Sequence, residues 1–154
     1  MKFGTKSLIA GAVLALSLSA GLVMAGPADD AIKGRQNCMK VGHGGVMAVA
    51  VPILKGEKPY DAAALKAAYD AEGAACADWS KWWGADTQKG ETLETWAKPE
   101  IWTDPKGFEA AGGAWYAAAQ KLWAATDEAS FKAAFPAVGE GCKGCHDKFR
   151  RPKG

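Results

Sequence analysis

The sequence predicts an all-α protein, an antiparallel four-helix bundle, and three observations indicate this class. Apolar residues recur at intervals of three and four along most of the chain, which is the period of an amphipathic helix. Prolines, glycines and short polar runs divide this pattern into four stretches. The connections after the first and third stretches are short, as they are between antiparallel neighbours in a bundle.

The N-terminal segment differs in composition from the rest of the chain. Two lysines precede an uncharged run over residues 7–24, and small residues follow at its end. This pattern is typical of a secretory signal peptide, so we expect residues 1–25 to be cleaved and residues 26–154 to form one domain in the periplasm. An uncleaved membrane anchor is the alternative for an apolar segment of this length.

The predicted mature chain is electrically balanced. The first 25 residues hold two lysines and no acidic residue, and without them the numbers of basic and acidic side chains are equal. We expect no binding of nucleic acid, because that function depends on a strong positive charge. Export would also place the cysteines in an oxidising compartment, where disulfides persist.

The first helix is predicted over about residues 27–51. Pro27 suits a first helical turn, and the acidic pair Asp29 and Asp30 suits the positive end of the helix dipole. Its inward stripe has spacings of four and three: Ile32, Gln36, Met39, His43, Val46 and Ala50. Glycines at 42, 44 and 45 weaken it locally and permit a close neighbour, and Pro52 with the run over residues 55–59 is expected to end it.

The second helix is predicted from an N-cap at Asp61 to Trp83. A polar loop over residues 84–94 follows it. Pro99 lies between two tryptophans in the next segment and forbids a regular helix interior there. We therefore expect that segment to be a loop packed onto something apolar.

The third and fourth helices have the clearest start signals. The third is predicted from Pro105, after Asp104, to about Thr126, and the fourth begins near Asp127. Apolar residues of the fourth also alternate at spacings of four and three: Phe131, Phe135, Val138, Cys142, Cys145 and Phe149. Pro136 falls inside this pattern and either kinks the helix or starts a second segment.

Near its end the fourth helix carries two cysteines three positions apart, Cys142 and Cys145, followed at once by His146. This pattern is typical of covalent haem c attachment. Two thiols on one side of a helical turn can form thioethers to the haem vinyl groups, and the histidine can then bind the iron. We expect one covalent haem c inside the bundle, against the C-terminal helix.

Other interpretations of this motif are weaker. A thioredoxin-like redox pair belongs with a βαβ pattern, and no strands are predicted. A zinc site would need His43, the other histidine of the chain, as fourth ligand without the usual paired spacing. A disulfide between the two cysteines of the motif would leave His146 unexplained.

The remaining cysteines, Cys38 and Cys76, lie at equal sequence distances from the turn near Glu57. In an antiparallel hairpin, equal distances from the turn mean equal heights, so a disulfide is predicted. Closing this loop would stabilise the fold by about 4 kcal/mol on the chain-entropy estimate. Two buried free cysteines are the alternative, because a small error in helix phase would turn the side chains apart.

Three side chains of the first helix are candidates for the far face of the haem: Met39, His43 and Met47. A ligating Met39 would make the iron six-coordinate and low-spin. A Met39 that only packs over the haem would leave the sixth position open to a small gas. A peroxidase is less well supported, because His43 is the only acid-base candidate there and lacks an evident partner.

The chain resembles the class II c-type cytochromes, the cytochrome c′ and cytochrome c-556 family. The resemblance covers essentially the whole predicted mature chain and lies in the following segments: Arg35-Gln36-Asn37-Cys38-Met39-Lys40, Gly56 to Ala62, Lys98-Pro99-Glu100-Ile101-Trp102, and the C-terminal Cys142 to Arg150. It implies that Cys142 and Cys145 carry the haem and that His146 is the proximal ligand.

The resemblance also implies roles for residues around the haem. Arg35 and Gln36 would lie close to the propionates, and Lys98 and Glu100 in the loop over the haem edge. Arg150 would flank the proximal imidazole. Met39 falls on the distal position, which binds iron in the c-556 branch and only shields an open iron in some c′ members.

We therefore expect a haem c electron carrier rather than an enzyme, with His146 and Met39 as iron ligands. Its expected partners are redox proteins, and a homodimer is possible. The alternative is a five-coordinate cytochrome c′ that binds nitric oxide or carbon monoxide at an open distal site.

Overall fold

The computed structural model describes residues 26–152, so the predicted signal peptide lies outside the described part of the chain. Within that part the regular structure is helical, and one isolated β-bridge joins Ala97 to Arg150. The predicted all-α class is confirmed. The long helices in chain order are α1, Pro27–Leu54; α2, Ala62–Ala75; α4, Pro105–Trp123; and α5, Glu128–Phe149. A short helix α3, Glu100–Thr103, precedes α4.

The bundle is built from two helical hairpins. Helix α1 packs against α2, and α4 packs against α5, with a short turn inside each pair. All four long helices contribute to one buried apolar cluster: Ala50, Ile53, Leu65, Leu122, Phe131 and Val138. By length and composition alone α1 could cross a membrane, but in this fold it forms one wall of the bundle.

The predicted helix starts are confirmed by their caps. Asp61 accepts a hydrogen bond from the backbone N–H of Ala64, and Asp104 accepts one from Gly107. Asp127 and Ser130 form a reciprocal capping box at the start of α5. Each aspartate satisfies backbone donors that the first turn of a helix would leave unpaired.

Helix α1 departs from the prediction in two places. Its middle, Cys38–His43, is π-helical, with α-helix on both sides. The helix also continues through Pro52 to Leu54, three residues beyond the predicted Val51, and ends directly before the run over residues 55–59. A proline in the last turn costs few helical hydrogen bonds, and the turn closes when the N–H of Glu57 bonds the Pro52 carbonyl at 2.8 Å.

Helix α2 is shorter than predicted. It ends at Ala75 rather than Trp83, and a single 3₁₀ turn, Trp79–Trp82, follows. The tryptophans at the predicted end of this helix still pack against other aromatic rings, since the Trp83 ring centroid lies 4.9 Å from that of Trp79 and 4.7 Å from that of Phe108. Aromatic packing in the loop therefore overrides helical periodicity here. Helix α5, by contrast, is continuous through Pro136.

A buried aspartate ties the long loop to α1. Asp29 is fully buried, and its carboxylate accepts hydrogen bonds from the backbone N–H groups of Thr92 and Leu93 and from the Thr92 hydroxyl. These bonds, led by the one from the Thr92 hydroxyl, hold the pKa of Asp29 below its ordinary value against the opposing effect of burial. Asp29 is thus a tether for the loop and not only a helix-dipole partner.

This tether predicts a specific pH dependence of stability. A carboxyl whose pKa is lower in the folded than in the unfolded protein contributes stability above its unfolded pKa and loses it as the pH falls through the folded value. We expect Asp29→Asn to flatten the loss of unfolding free energy below about pH 4, measured by denaturant titration across pH. Asp30→Asn, at the exposed neighbouring position, should lose unfolding free energy at low pH as the wild type does. An equal loss of unfolding free energy at low pH in Asp29→Asn and the wild type would contradict the assignment.

Candidate functional site

A cavity of about 290 Å³ lies between α1, the long loop and the C-terminal end of α5. Its walls are largely apolar and aromatic, with Ile32 from α1, Phe108 from α4 and Phe149 from α5. Both Ile32 and Phe149 are buried. A flat apolar group would fit such walls better than a soluble polar substrate.

The cysteine motif lies on the side of α5 that faces the cavity and the core. Cys145 and His146 line the cavity, while Cys142, one turn earlier, packs against the core beside Trp115. Burial raises the pKa of both thiols. A thioredoxin-like redox pair needs a lowered thiol pKa, so its chemistry does not fit these cysteines.

His146 is half-buried in the cavity wall. Burial lowers the pKa of its imidazole, and the charge of Arg150 lowers it further. The neutral imidazole is the form that binds a metal. His146 is therefore chemically suited to be an iron ligand at the place where the thiols would hold a haem.

Arg35 supplies a positive charge in the opposite part of the site, from α1. Its side chain is 6% exposed, donates from Nη2 to the Thr87 carbonyl at 2.6 Å, and lies 4.7 Å from the Trp83 ring and 5.9 Å from the Trp102 ring. The Nη1 atom is buried and has no hydrogen-bond partner among the described residues. Burial lowers the pKa of the guanidinium, because a charged group is less stable in an apolar interior than in water.

The buried Nη1 atom of Arg35 has no hydrogen-bond partner among the described residues, and a carboxylate of a haem would supply one. A propionate could accept from Nη1 and complete the hydrogen bonding of Arg35. Together with the two thiols and the imidazole of α5, this donor set matches covalent haem c. The residues present therefore fit the cofactor that the motif predicts.

The other predicted contacts divide into two groups. Gln36 lines the cavity near solvent, and its Nε2 donates to the Glu94 carbonyl at 3.1 Å. Lys98 instead caps the end of α5, donating from Nζ to the Lys148 carbonyl at 2.9 Å. Glu100 is exposed in the first turn of α3. The structure does not bring Lys98 or Glu100 to the cavity wall.

Of the three distal candidates, the structure places only Met39 at the cavity. His43 lies on another side of α1, where its Nδ1 is 2.5 Å from Glu72 Oε1. It therefore does have a partner, and its ring also packs edge-on against Trp115, with 4.7 Å between the ring centroids, rather than lining the haem cavity. Met47 is half-buried two turns beyond Met39 and does not line the cavity.

Cys38 and Cys76 form the predicted disulfide, with their Cα atoms 4.8 Å apart. The close approach of α1 and α2 at this point depends on Gly42. A Cβ atom at residue 42 would lie 3.0 Å from the Cys76 sulfur. Among the glycines at 42, 44 and 45, Gly42 therefore permits the predicted close approach of a neighbouring helix.

Sequence reasoning missed the residues that hold Arg35. Thr87 and the two tryptophans that flank the guanidinium come from loop segments far apart in the sequence. No local spacing connects them. The unusual number of tryptophans, seven in the chain, was the one available signal of an aromatic cage.

Comparison with known proteins identifies the family. The family model described as Cytochrome C′ matches residues 30–150. A cytochrome c′ from Alcaligenes xylosoxydans xylosoxydans is 36% identical over 131 residues, which cover 81% of this chain and 96% of that protein. The fold also matches solved structures of this family.

The crystal structure of cytochrome c′ from Rubrivivax gelatinosus matches with a TM-score of 0.71 at 32% identity, covering 80% of this chain and 97% of that one. A nitric oxide complex of a cytochrome c prime mutant from Alcaligenes xylosoxidans matches with a TM-score of 0.69 at 33% identity, covering 81% and 97%. This chain therefore belongs to the cytochrome c′ family, whose members bind one covalent haem c and act in electron transfer or gas binding.

Proposed function

We propose that this protein is a periplasmic one-electron carrier in which His146 and Met39 are the axial ligands of the haem iron. The observation that carries the proposal is that both side chains line one cavity, His146 from α5 and Met39 from α1. Covalent haem c supplies a one-electron iron couple and requires no substrate turnover. The second axial position therefore decides between electron transfer and the binding of small molecules.

Met39 suits that position by its chemistry and its setting. A thioether is a soft ligand that raises the reduction potential relative to a second histidine. Met39 is half-buried and lies in the π-helical segment of α1, and single-turn π-helices are frequent at functional sites. A ligand held in this way would keep the iron low-spin in both oxidation states.

The surrounding residues have supporting roles in the proposal. Cys142 and Cys145 attach the haem, and Arg35 pairs with a propionate, with Gln36 at the rim of the cavity. The apolar walls keep water from the iron, which lowers the reorganisation that electron transfer requires. None of these side chains forms an acid-base pair with a substrate position, as an enzyme would need.

A periplasmic location follows from three features taken together. The N-terminal segment has the composition of a signal peptide, the haem motif belongs to exported cytochromes, and the Cys38–Cys76 disulfide suits an oxidising compartment. An electron carrier there needs redox partner proteins, and a homodimer is compatible with this role.

A second candidate function is the binding of nitric oxide or carbon monoxide. The observation that favours it is the nitric oxide complex of the cytochrome c prime mutant that this fold matches. In that case Met39 would shield an open iron rather than bind it. The two functions differ in whether Met39 binds the iron, so substitution of Met39 distinguishes them.

We expect Met39→Ala to convert a low-spin protein into a high-spin one that binds carbon monoxide. Removal of the thioether opens the sixth position, because the other α1 side chains that line the cavity include no thioether, thiol or imidazole. The optical spectrum in both oxidation states, with and without carbon monoxide, measures the change. Met47→Ala is the matched control, since Met47 lies on the same helix outside the cavity.

The gas-binding function predicts a different result. Wild-type protein would then be high-spin and would take up carbon monoxide without displacing a ligand. That result would overturn Met39 ligation and would establish the second candidate instead.

A further inference from the structure

A second group of metal-binding side chains lies outside the haem cavity. The sulfur atoms of Cys38 and Cys76 and a ring nitrogen of His43 lie within 4.8 Å of one another. Cys38 is buried, whereas Cys76 and His43 are half-buried and line a second, open cavity. We propose that reduction of the Cys38–Cys76 disulfide turns these three side chains into a zinc site.

The spacing of the histidine and the cysteine already suits such a site. His43 Nε2 is 3.7 Å from Cys38 Sγ. With Zn–S near 2.3 Å and Zn–N near 2.0–2.1 Å, tetrahedral angles place a sulfur and a nitrogen ligand about 3.6 Å apart. The imidazole is therefore at the ligand-to-ligand distance before any metal is bound. Separation of the two sulfurs is the only large movement required.

Glu72 orients the imidazole for this role. The Glu72 side chain is 7% exposed, and its carboxylate lies 2.5 Å from His43 Nδ1. A proton on Nδ1 then points at Glu72, and the lone pair on Nε2 is left for the metal. A carboxylate behind a ligating histidine is the usual arrangement in zinc proteins, where it fixes the ring and raises its basicity.

The second cavity gives the site its entry path and its fourth ligand. Cys76, His43 and Glu72 all line it, and so does the carboxylate of Glu109. The fourth zinc position opens on this cavity and would be taken by water. Three acidic residues, Asp70, Glu72 and Glu109, line this cavity against one basic residue, Lys66, and this excess favours a divalent cation over an anion.

Opening the site is a two-electron step. A dithiol reductant attacks the Cys76 sulfur, which is the more exposed of the pair, and releases the sulfur of Cys38. The disulfide takes up two electrons and two protons and becomes two thiols, while the dithiol becomes a disulfide. Zinc binding then displaces both thiol protons to solvent.

The chain holds no competing set of these ligands once haem is bound. It has four cysteines and two histidines in all. In the holoprotein Cys142 and Cys145 are thioethers and His146 is committed to iron. Reduction therefore exposes only the thiols of Cys38 and Cys76, beside the one remaining imidazole. The site does not depend on whether Met39 binds iron.

The test uses the holoprotein, reduced without oxygen by tris(2-carboxyethyl)phosphine, desalted and mixed with zinc chloride. We expect one zinc per chain after gel filtration, and zinc K-edge X-ray absorption showing two sulfur ligands and one imidazole. Oxidised protein and the double variant Cys38→Ser, Cys76→Ser should retain none. Glu72→Gln should bind about 10–100-fold more weakly, as for other carboxylates behind a ligating histidine. Glu57→Gln, in the exposed turn between α1 and α2 and outside this cavity, should bind as the wild type does.

Three results would overturn the proposal. One is reduced protein with two alkylatable thiols that retains no zinc. Another is equal zinc retention by the double cysteine variant, which would mean adventitious binding elsewhere. The third is a disulfide that the phosphine cannot reduce in the folded holoprotein, because a site that cannot open cannot bind a metal.

Discussion

Replacing Cys142 and Cys145 together by alanine is expected to abolish retention of haem under denaturing conditions. These two thiols lie on the face of α5 that meets the cavity and the core, and in the proposed attachment each would form one thioether to the haem. Without them the haem would be held only by His146, Met39, Arg35 and the apolar walls, and all of these contacts are lost on unfolding. Haem staining of a denaturing gel and the intact mass of the chain measure the effect.

Single and unrelated cysteine variants provide the controls. Cys145→Ala should keep a chain with haem attached through Cys142 alone. The double variant Cys38→Ala, Cys76→Ala should stain as strongly as the wild type, because those cysteines are joined to each other. Haem that stays on the Cys142, Cys145 double variant after denaturation would contradict the assignment.

Removal of the disulfide is expected to have the largest effect on stability. Cys38 and Cys76 are 38 residues apart, and release of a loop of that length costs about 4 kcal/mol of unfolding free energy on the chain-entropy estimate. For a domain of this size, Tm should fall by roughly 10–15 °C in the double alanine variant. Denaturant unfolding of the holoprotein, followed by circular dichroism with a metal chelator present, gives the free energy.

Reduced wild-type protein is the matched control for this loss. It lacks the same covalent link but keeps both side chains, so its unfolding free energy should lie close to that of the variant. A variant as stable as the oxidised wild type would contradict a structural role for the disulfide. A reduced protein as stable as the oxidised one would do the same.

Much of the fold was predictable because its signals are local. The aspartate caps, Pro27 and Pro105, and the alternating pattern of α5 each act within one or two helical turns. The end of α2 was not predictable in this way. Trp79 and Trp83 keep helical spacing in the sequence, but contact with Phe108, far along the chain, decides their conformation.

The same distinction holds for the site. The haem motif is five adjacent residues, so the sequence alone predicts its chemistry. The disulfide follows from helix geometry, since two positions equally distant from a turn lie at one height. The cage around Arg35, by contrast, joins α1 to Thr87, Trp83 and Trp102, and only the folded loop brings them together.

His43 shows why a residue on the predicted inward stripe need not face the ligand. The prediction placed it one turn from Met39, near the haem. The π-helical segment that includes both residues changes the angular step along α1, so His43 meets Glu72 while Met39 meets the cavity. A period of 3.6 residues cannot anticipate this rotation.

Iron K-edge X-ray absorption of the holoprotein shows whether Met39 and His146 bind the same iron. We expect one sulfur ligand and an imidazole on the iron of the wild type, with the sulfur lost in Met39→Ala and kept in Met47→Ala. An iron without a sulfur ligand in the wild-type protein would contradict Met39 ligation.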